Sequence, residues 1–424
     1  MKIAIDISQT VYGTGVGRYT QELVQNLLNI DKQNEYILFG ASLRQFLKLK
    51  KIKNELVNSN KNLTFKLIPL PLFLLEFIWN KFHFLPIETF IGKIDLLHTS
   101  DWLEPPTTKD TKKVTTVHDM LAYLFPQSSH QRIVRNQRAK LERVKKETHI
   151  IIADSKTTKE DLVKFLQVPS DKIKVVYLAA SSQFKPQDED VIEKVLQKYK
   201  IKKPYILSVS TQEPRKNIQK LIDVFENISK LRSDITLVLT GKKAWTTYEQ
   251  VSTDKENIIF TGYIPEDDLI CLYSGCRVFV YPSLYEGFGL PILEAMACGV
   301  PTITSNNSSM AEIAKDAAIL IDPRSDSQLT KAIEMVLDLK LEDYQKMVNA
   351  SLNRARQYSW AKTAKQTLQI YKDLVKLAEI NPTMSKDEKT QKANKKEEDQ
   401  NNEQKNNKQK TTDPKKHQIK ELSL

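Results

Sequence analysis

Short apolar runs recur along this chain. Each is followed by a polar or glycine-bearing turn and then by a stretch whose apolar residues return at helical spacing. Lys2–Ile7, Tyr36–Phe39, Thr64–Ile68, Leu96–His98, Lys113–Val117 and His149–Ala153 have the first character and are predicted strands. Tyr19–Leu28 has the second, with Leu23, Val24, Leu27 and Leu28 on one helical face. The pattern begins again at Tyr205–Val209 and continues through Ile235–Leu239, Asn257–Phe260, Val278–Tyr281, Pro301–Thr304 and Ala318–Ile321. Helices are predicted at Ile218–Ser229 and Leu290–Ala297. Strand and helix taking turns implies an α/β protein with mostly parallel sheets covered on both faces.

The polar, lysine-rich stretch Asp188–Pro204 reads as the changeover between two halves, 1–190 and 191–358, with a ligand cleft between them. Trp360–Ile380 carries Leu368, Tyr371, Leu374 and Val375 on one helical face, so residues 359–380 are expected to fold and pack back across the domains. Residues 384–424 are almost wholly Lys, Glu, Gln, Asn and Asp. They have little to bury and are expected to be disordered.

Bulk properties narrow the class. At 424 residues the chain exceeds one ordinary core. Its net charge of +12 favours anionic partners, and the tail from Ser385 onward supplies part of it, with 11 lysines against 8 acidic residues. Three cysteines, Cys271, Cys276 and Cys298, give no disulfide framework and suit a reducing compartment. The opening Met1–Asp6 reads as a strand rather than a signal peptide, and no apolar run approaches the roughly 18 residues of a spanning helix. The expected localisation is cytoplasmic, either free or peripheral at the inner face of the membrane.

The stretch from Tyr281 to Pro301 concentrates the candidate chemistry. Pro282, Gly287 and Gly289 interrupt any helix, so Glu286 should sit on a loop at a strand's carboxyl end. Pro291 suits a first helical turn and Gly299 a C-terminal cap, which places Glu294 early in that helix. A carboxylate accepts two hydroxyl hydrogen bonds, as a ribose or sugar diol requires. The backbone of Gly287, Phe288, Gly289 and Leu290 can meet a phosphate or sugar oxygen at the helix start. Taken singly, each glutamate reads as an ordinary first-turn acid; the whole stretch, with its two glycines, two prolines and apolar helix, reverses that reading.

Arg215 and Lys216 follow the strand Tyr205–Val209, where a bidentate guanidinium and a point charge could neutralise a diphosphate. Gly13-Thr-Gly15-Val16-Gly17 is neither a strict dinucleotide fingerprint nor a Walker loop, but it allows close backbone approach to a ligand. His118 ends a strand and can bond a sugar hydroxyl; Asp119 could orient it or touch an acceptor. No histidine spacing argues for a metal. The segment Leu67–Trp79, continued by Lys81, Phe82, Phe84 and Leu85, is too interrupted to cross a bilayer. It could rest at a membrane surface or pack inside the first half.

Glu286-Gly-Phe-Gly-Leu-Pro-Ile-Leu-Glu294, with Gly13–Tyr19, His118-Asp119 and Glu213–Asn217, resembles the retaining family 4 glycosyltransferases over roughly residues 1–380, and especially their mannosyltransferase-like branch. The resemblance implies the GT-B fold, two facing Rossmann-like domains with the acceptor side first and the donor side second. It assigns Arg215 and Lys216 to the donor diphosphate, Glu294 to the ribose, Glu286 to the donor sugar hydroxyls, His118 to the transferred sugar and Gly15–Gly17 to the phosphates. It further implies metal-independent, cofactor-free transfer from a nucleotide sugar, GDP-mannose by preference, to a glycan or lipid-linked acceptor. UDP-glucose and UDP-N-acetylglucosamine stay open as donors. A nucleotide-sugar epimerase on the same fold and a non-enzymatic binder of anionic surfaces are the rival classes. No aromatic–basic stripe supports specific nucleic-acid binding, and the oligomeric state is not legible.

Overall fold

The computed structural model describes residues 1–56, 62–100, 102–242 and 257–380. The tail expected at 384–424 lies outside the described residues. The chain divides into two compact units, Met1–Tyr371 and Lys372–Leu424; of the second, only the helical end Lys372–Ile380 is described.

Two parallel sheets carry the first unit. The first contains β1 (Lys2–Asp6), β2 (Glu35–Ala41), β3 (Leu63–Ile68), β4 (Leu96–Thr99), β5 (Lys112–Val117), β6 (Ile150–Ala153) and β7 (Ile173–Val175), in the order β3-β2-β1-β4-β5-β6-β7. The second contains β8 (Tyr205–Val209), β9 (Thr236–Thr240), β10 (Ile258–Gly262), β11 (Val278–Tyr281), β12 (Thr302–Ser305) and β13 (Ile319–Ile321), in the order β10-β9-β8-β11-β12-β13. Every pairing is parallel. These are two Rossmann-like halves, the architecture of the GT-B fold. Strands such as Val278-Phe-Val-Tyr281 are buried at every position, which is why they read as continuous apolar runs rather than alternations. Separate cores form in the two halves, one around Phe225, Leu237, Val280 and Ile333 and another around Phe39, Trp79, Ile91 and Leu97.

Three local expectations change. The glycine loop is shorter than its sequence suggests, because the helix begins at Gly15 and runs to Ile30. Thr14 is its cap, the hydroxyl accepting from the Gly17 amide at 3.2 Å. Strand β7 has no expectation at all, being three residues long with only Ile173 buried. The supposed changeover contains a helix, Glu189–Tyr199, tied to helix Glu266–Gly275 of the second half through Tyr199 and Lys198, each 2.6 Å from Asp268.

The last helix returns to the first half along its first three turns. Thr363 donates to the Tyr177 carbonyl at 2.7 Å, Tyr371 meets His98 Nδ1 at 2.5 Å, and the Trp360 ring lies 6.1 Å from Tyr19.

Candidate active site

Strand order explains why residues far apart in sequence meet. In each sheet the chain reverses direction of propagation beside its first strand, between β1 and β4 and between β8 and β11. Loops leaving the carboxyl ends of such neighbours diverge and leave a crevice. The loop after β8 carries Arg215 and Lys216, and the loop after β11 carries Glu286. The adjacent pair β8 and β11 therefore delivers two cations to one carboxylate.

Glu286 is 8% exposed. Its Oε1 is 2.7 Å from Lys216 Nζ, 2.8 Å from Arg215 Nη1, 2.6 Å from Ser283 Oγ and 3.0 Å from the Tyr281 hydroxyl. Among the described residues no partner engages Oε2, so one oxygen is anchored while the other remains for a ligand. Burial alone would raise this carboxyl; Lys216 and Arg215 outweigh it and hold it down to about 2. Burial pushes the Lys216 ammonium below its ordinary value, with Glu286 opposing and Arg215 reinforcing.

The crevice is an open cavity of about 420 Å³. Gly13, Gly15, Val16, His118, Asp119 and Asp154 line it from the first half; Lys216, Glu286, Gly287, Phe288, Gly289 and Leu290 line it from the second. Two other cavities, near Arg354 and near Phe184, have volumes of about 540 and 480 Å³, but neither joins a glycine loop to a lysine paired with a buried carboxylate.

Gly287 is one of the places where the halves touch. A β-carbon there would lie 1.9 Å from the His118 carbonyl oxygen, and the Gly287 carbonyl accepts from Ser155 Oγ at 2.6 Å. Gly289, at φ 99°, caps helix Leu290–Ala297, with Pro291 in its first turn. His118 Nδ1 pairs with Asp154 at 2.6 Å, and the Tyr19 ring lies edge-on at 4.7 Å. Asp154 is buried, which raises its carboxyl, while His118 opposes the shift.

Three candidates stand behind the cavity rather than on it. Gly17 packs against the first half itself: an added β-carbon would lie 2.8 Å from the Gln9 carbonyl oxygen. Arg215, buried, donates to the Tyr285 carbonyl at 2.7 Å and braces Glu286. Glu294 has both oxygens occupied, one by Arg18 Nη1 at 2.5 Å and one by the Tyr273 hydroxyl at 3.1 Å. Arg18 also pairs with Glu266, so one first-half guanidinium bridges two second-half carboxylates. Sequence reasoning missed Asp154, Arg18, Glu266 and Tyr273. Asp154 follows the carboxyl end of β6 and could have been found by the rule that selected His118; Tyr273 sits in the last turn of a helix and carries no such signal. Among the described residues no group of three His, Cys, Asp or Glu could hold a metal ion.

Comparison with known proteins gives this geometry a chemical class. Residues 13–181 match the model for Glycosyltransferase Family 4, and residues 191–354 match that for Glycosyl transferases group 1. The O-antigen chain mannosyltransferase B of Escherichia coli is 31% identical over 372 residues, covering 85% of this chain and 96% of that protein. The chain belongs to the GT-B glycosyltransferases. The O-antigen chain mannosyltransferase RfbU of Salmonella typhimurium is 27% identical, covering 77% and 88% of the two chains. Among solved structures, sucrose-phosphate synthase from Thermosynechococcus elongatus shares the fold with a TM-score of 0.67 at 18% identity, covering 88% of this chain and 99% of that one. Anabaena Alr3699/HepE, solved in complex with UDP-glucose, shares it with a TM-score of 0.63 at 17% identity, covering 88% and 100%. Family membership decides for nucleotide-sugar-dependent transfer over epimerisation and over a non-enzymatic anion binder.

The Arg18 bridge makes a prediction about this transferase. Burial raises the Glu294 carboxyl, and Arg18 opposes that rise. If the ionised carboxylate binds the donor, KM for the donor climbs as pH falls toward the raised value. Arg18→Gln removes the opposing charge, so the climb should begin at higher pH. Donor KM measured from about pH 8 to about pH 5 checks this; identical profiles would show that Arg18 does not keep Glu294 ionised.

Proposed function

We propose that the enzyme transfers mannose from GDP-mannose, with retention of anomeric configuration, to a hydroxyl of a glycan or lipid-linked acceptor on the cytoplasmic side of a membrane. The observation that carries the reading is the convergence of Lys216, braced Glu286 and the Gly287–Gly289 backbone on one cavity facing His118. The names of the mannosyltransferase relatives support the choice of sugar.

In this reading Lys216, with Arg215 behind it, answers the negative charge of the departing diphosphate, and no metal ion is required. The donor ribose replaces one partner of Glu294, and Glu286 Oε2 takes a sugar hydroxyl. His118, oriented by Asp154, contacts the transferred sugar. The bond from C1 to the phosphate oxygen breaks with its electron pair going to GDP. The acceptor oxygen bonds C1 on the same face, and its proton passes to the leaving phosphate oxygen.

A donor panel of GDP-mannose, UDP-glucose and UDP-N-acetylglucosamine, with an acceptor glycan pool, tests the proposal. GDP-mannose should give at least about tenfold higher kcat/KM, and the C1–H1 coupling of the product should report the donor's own anomeric configuration. Preference for a UDP-sugar overturns the donor assignment; an inverted product overturns the mechanism.

A further inference from the structure

The segment that begins at Leu72 divides its apolar residues between two sides. Leu75 and Trp79 are fully buried, Trp79 lying 5.7 Å from both the Phe39 and Phe90 rings and donating Nε1–H to the Leu85 carbonyl at 3.0 Å. That anchoring fixes the π-helical turn Glu76–Phe82 and leaves its other side outward. Phe73, Phe77, Phe82 and Phe84 are 62%, 47%, 54% and 52% exposed. Scattered exposed apolar residues are ordinary, but four phenylalanines on one short segment are not. Phe77 and Phe82 stack edge-on at 4.5 Å, and the Lys81 ammonium lies 5.0 and 5.4 Å from their rings.

Helix Gln131–Glu147 runs beside this segment. Arg132 and Asn136 reach Glu76 at 3.4 and 3.1 Å, and Arg143 Nε donates to the Asn80 carbonyl at 3.1 Å. The helix bears seven Lys and Arg against two Glu, and Arg132, Arg135 and Lys146 are exposed. Exposed aromatic rings framed by cations are the chemistry of an anionic lipid interface, where rings enter the headgroup boundary and cations meet phosphate. A second copy fits poorly, because two-fold pairing would set the same cations against each other. Among the described residues no helix is long and apolar enough to cross a membrane, so the contact is with the bilayer surface.

We infer that the face made by Phe73, Phe77, Phe82 and Phe84 with Lys81, Arg132 and Arg135 docks on an anionic lipid bilayer. The inference rests on this face alone and not on the donor assignment. It also has a consequence for access. Helix Gln131–Glu147 follows β5 and precedes β6, so its Arg132 end lies on the carboxyl-end side of the sheet, the side from which His118 enters the cavity. Docking by this face would hold the carboxyl-end side of the first sheet near the lipid, where a lipid-linked acceptor would be met.

The test is flotation of the full-length protein with phosphatidylcholine vesicles, with and without phosphatidylglycerol, for three proteins: the unaltered chain, Phe73→Ser/Phe77→Ser/Phe82→Ser/Phe84→Ser, and Arg132→Glu/Arg135→Glu. The unaltered chain should float only with anionic vesicles, and each variant should lose at least about tenfold in binding. Donor hydrolysis should be unchanged, because the altered side chains lie outside the cavity, and a melting curve should show that each variant is folded. Unchanged flotation of the variants would assign binding to another part of the chain, such as the lysine-rich tail. Equal binding to neutral vesicles, or a change of oligomeric state in the phenylalanine variant, would also overturn the proposal.

Discussion

Lys216→Ala is expected to lower kcat/KM by about 10²–10³, the effect of removing one preorganised charge from a developing anion. Neighbouring side chains fix the ammonium in position. It contacts Glu286 Oε1 at 2.7 Å and the Tyr281 hydroxyl at 2.8 Å, and lies 5.3 Å from the Tyr281 ring centroid. Lys216 also lines the cavity, whereas Arg215 does not. Alanine removes the charge without overpacking the site. The assay is steady-state transfer with a saturating acceptor, alongside a melting curve to show that the variant is folded. A folded variant within about threefold of the parent would remove Lys216 from the reaction.

Glu286→Gln should damage both stability and transfer. The buried carboxylate compensates two cations. Among the described residues, a neutral amide leaves Lys216 without an ion-pair partner and leaves Arg215 with Glu213, at 3.1 Å. Removing one member of a buried ion cluster costs about 3–5 kcal/mol, because the remaining charge stays desolvated. Urea unfolding at neutral pH should show that loss. The parent protein should show a related pH dependence. The folded Glu286 carboxyl is held down to about 2, below its ordinary value of 4.5. Its contribution is therefore fully present above the ordinary value and is lost as pH falls from there through about 2. The Gln variant should lack this part of the acid sensitivity. Equal unfolding free energies at neutral pH would show that the cluster contributes nothing net.

Much of the architecture was legible because parallel strands buried on both faces leave a strong local mark. Tyr205–Val209 and Val278–Tyr281 are strands over those residues, and Ile218–Ser229 and Leu290–Ala297 are helices over theirs. The failures have equally local causes. Strand β7 is a short sheet edge with one buried residue, too little for periodicity to register. The glycine loop looked longer because glycine reads as a helix breaker, yet the Thr14 cap lets Gly15 and Gly17 begin a helix.

The site divides along the same line. By themselves the residues announced a cation pair after one strand and a carboxylate in a glycine-rich turn after another, since chemistry and turn propensity are properties of short segments. Only the tertiary structure decided which of them share a cavity. Strands β8 and β11, separated by 68 residues between Val209 and Val278, are neighbours in the sheet, and that adjacency joins Lys216 to Glu286. Gly17 and Gly287 look alike in sequence, yet one accommodates a carbonyl within its own half and the other lets the two halves close. Arg18, from the first half, reaches Glu294 in the second. Periodicity reports what lies a few residues away along the chain; contacts between distant loops depend on strand order and on the seating of one half against the other.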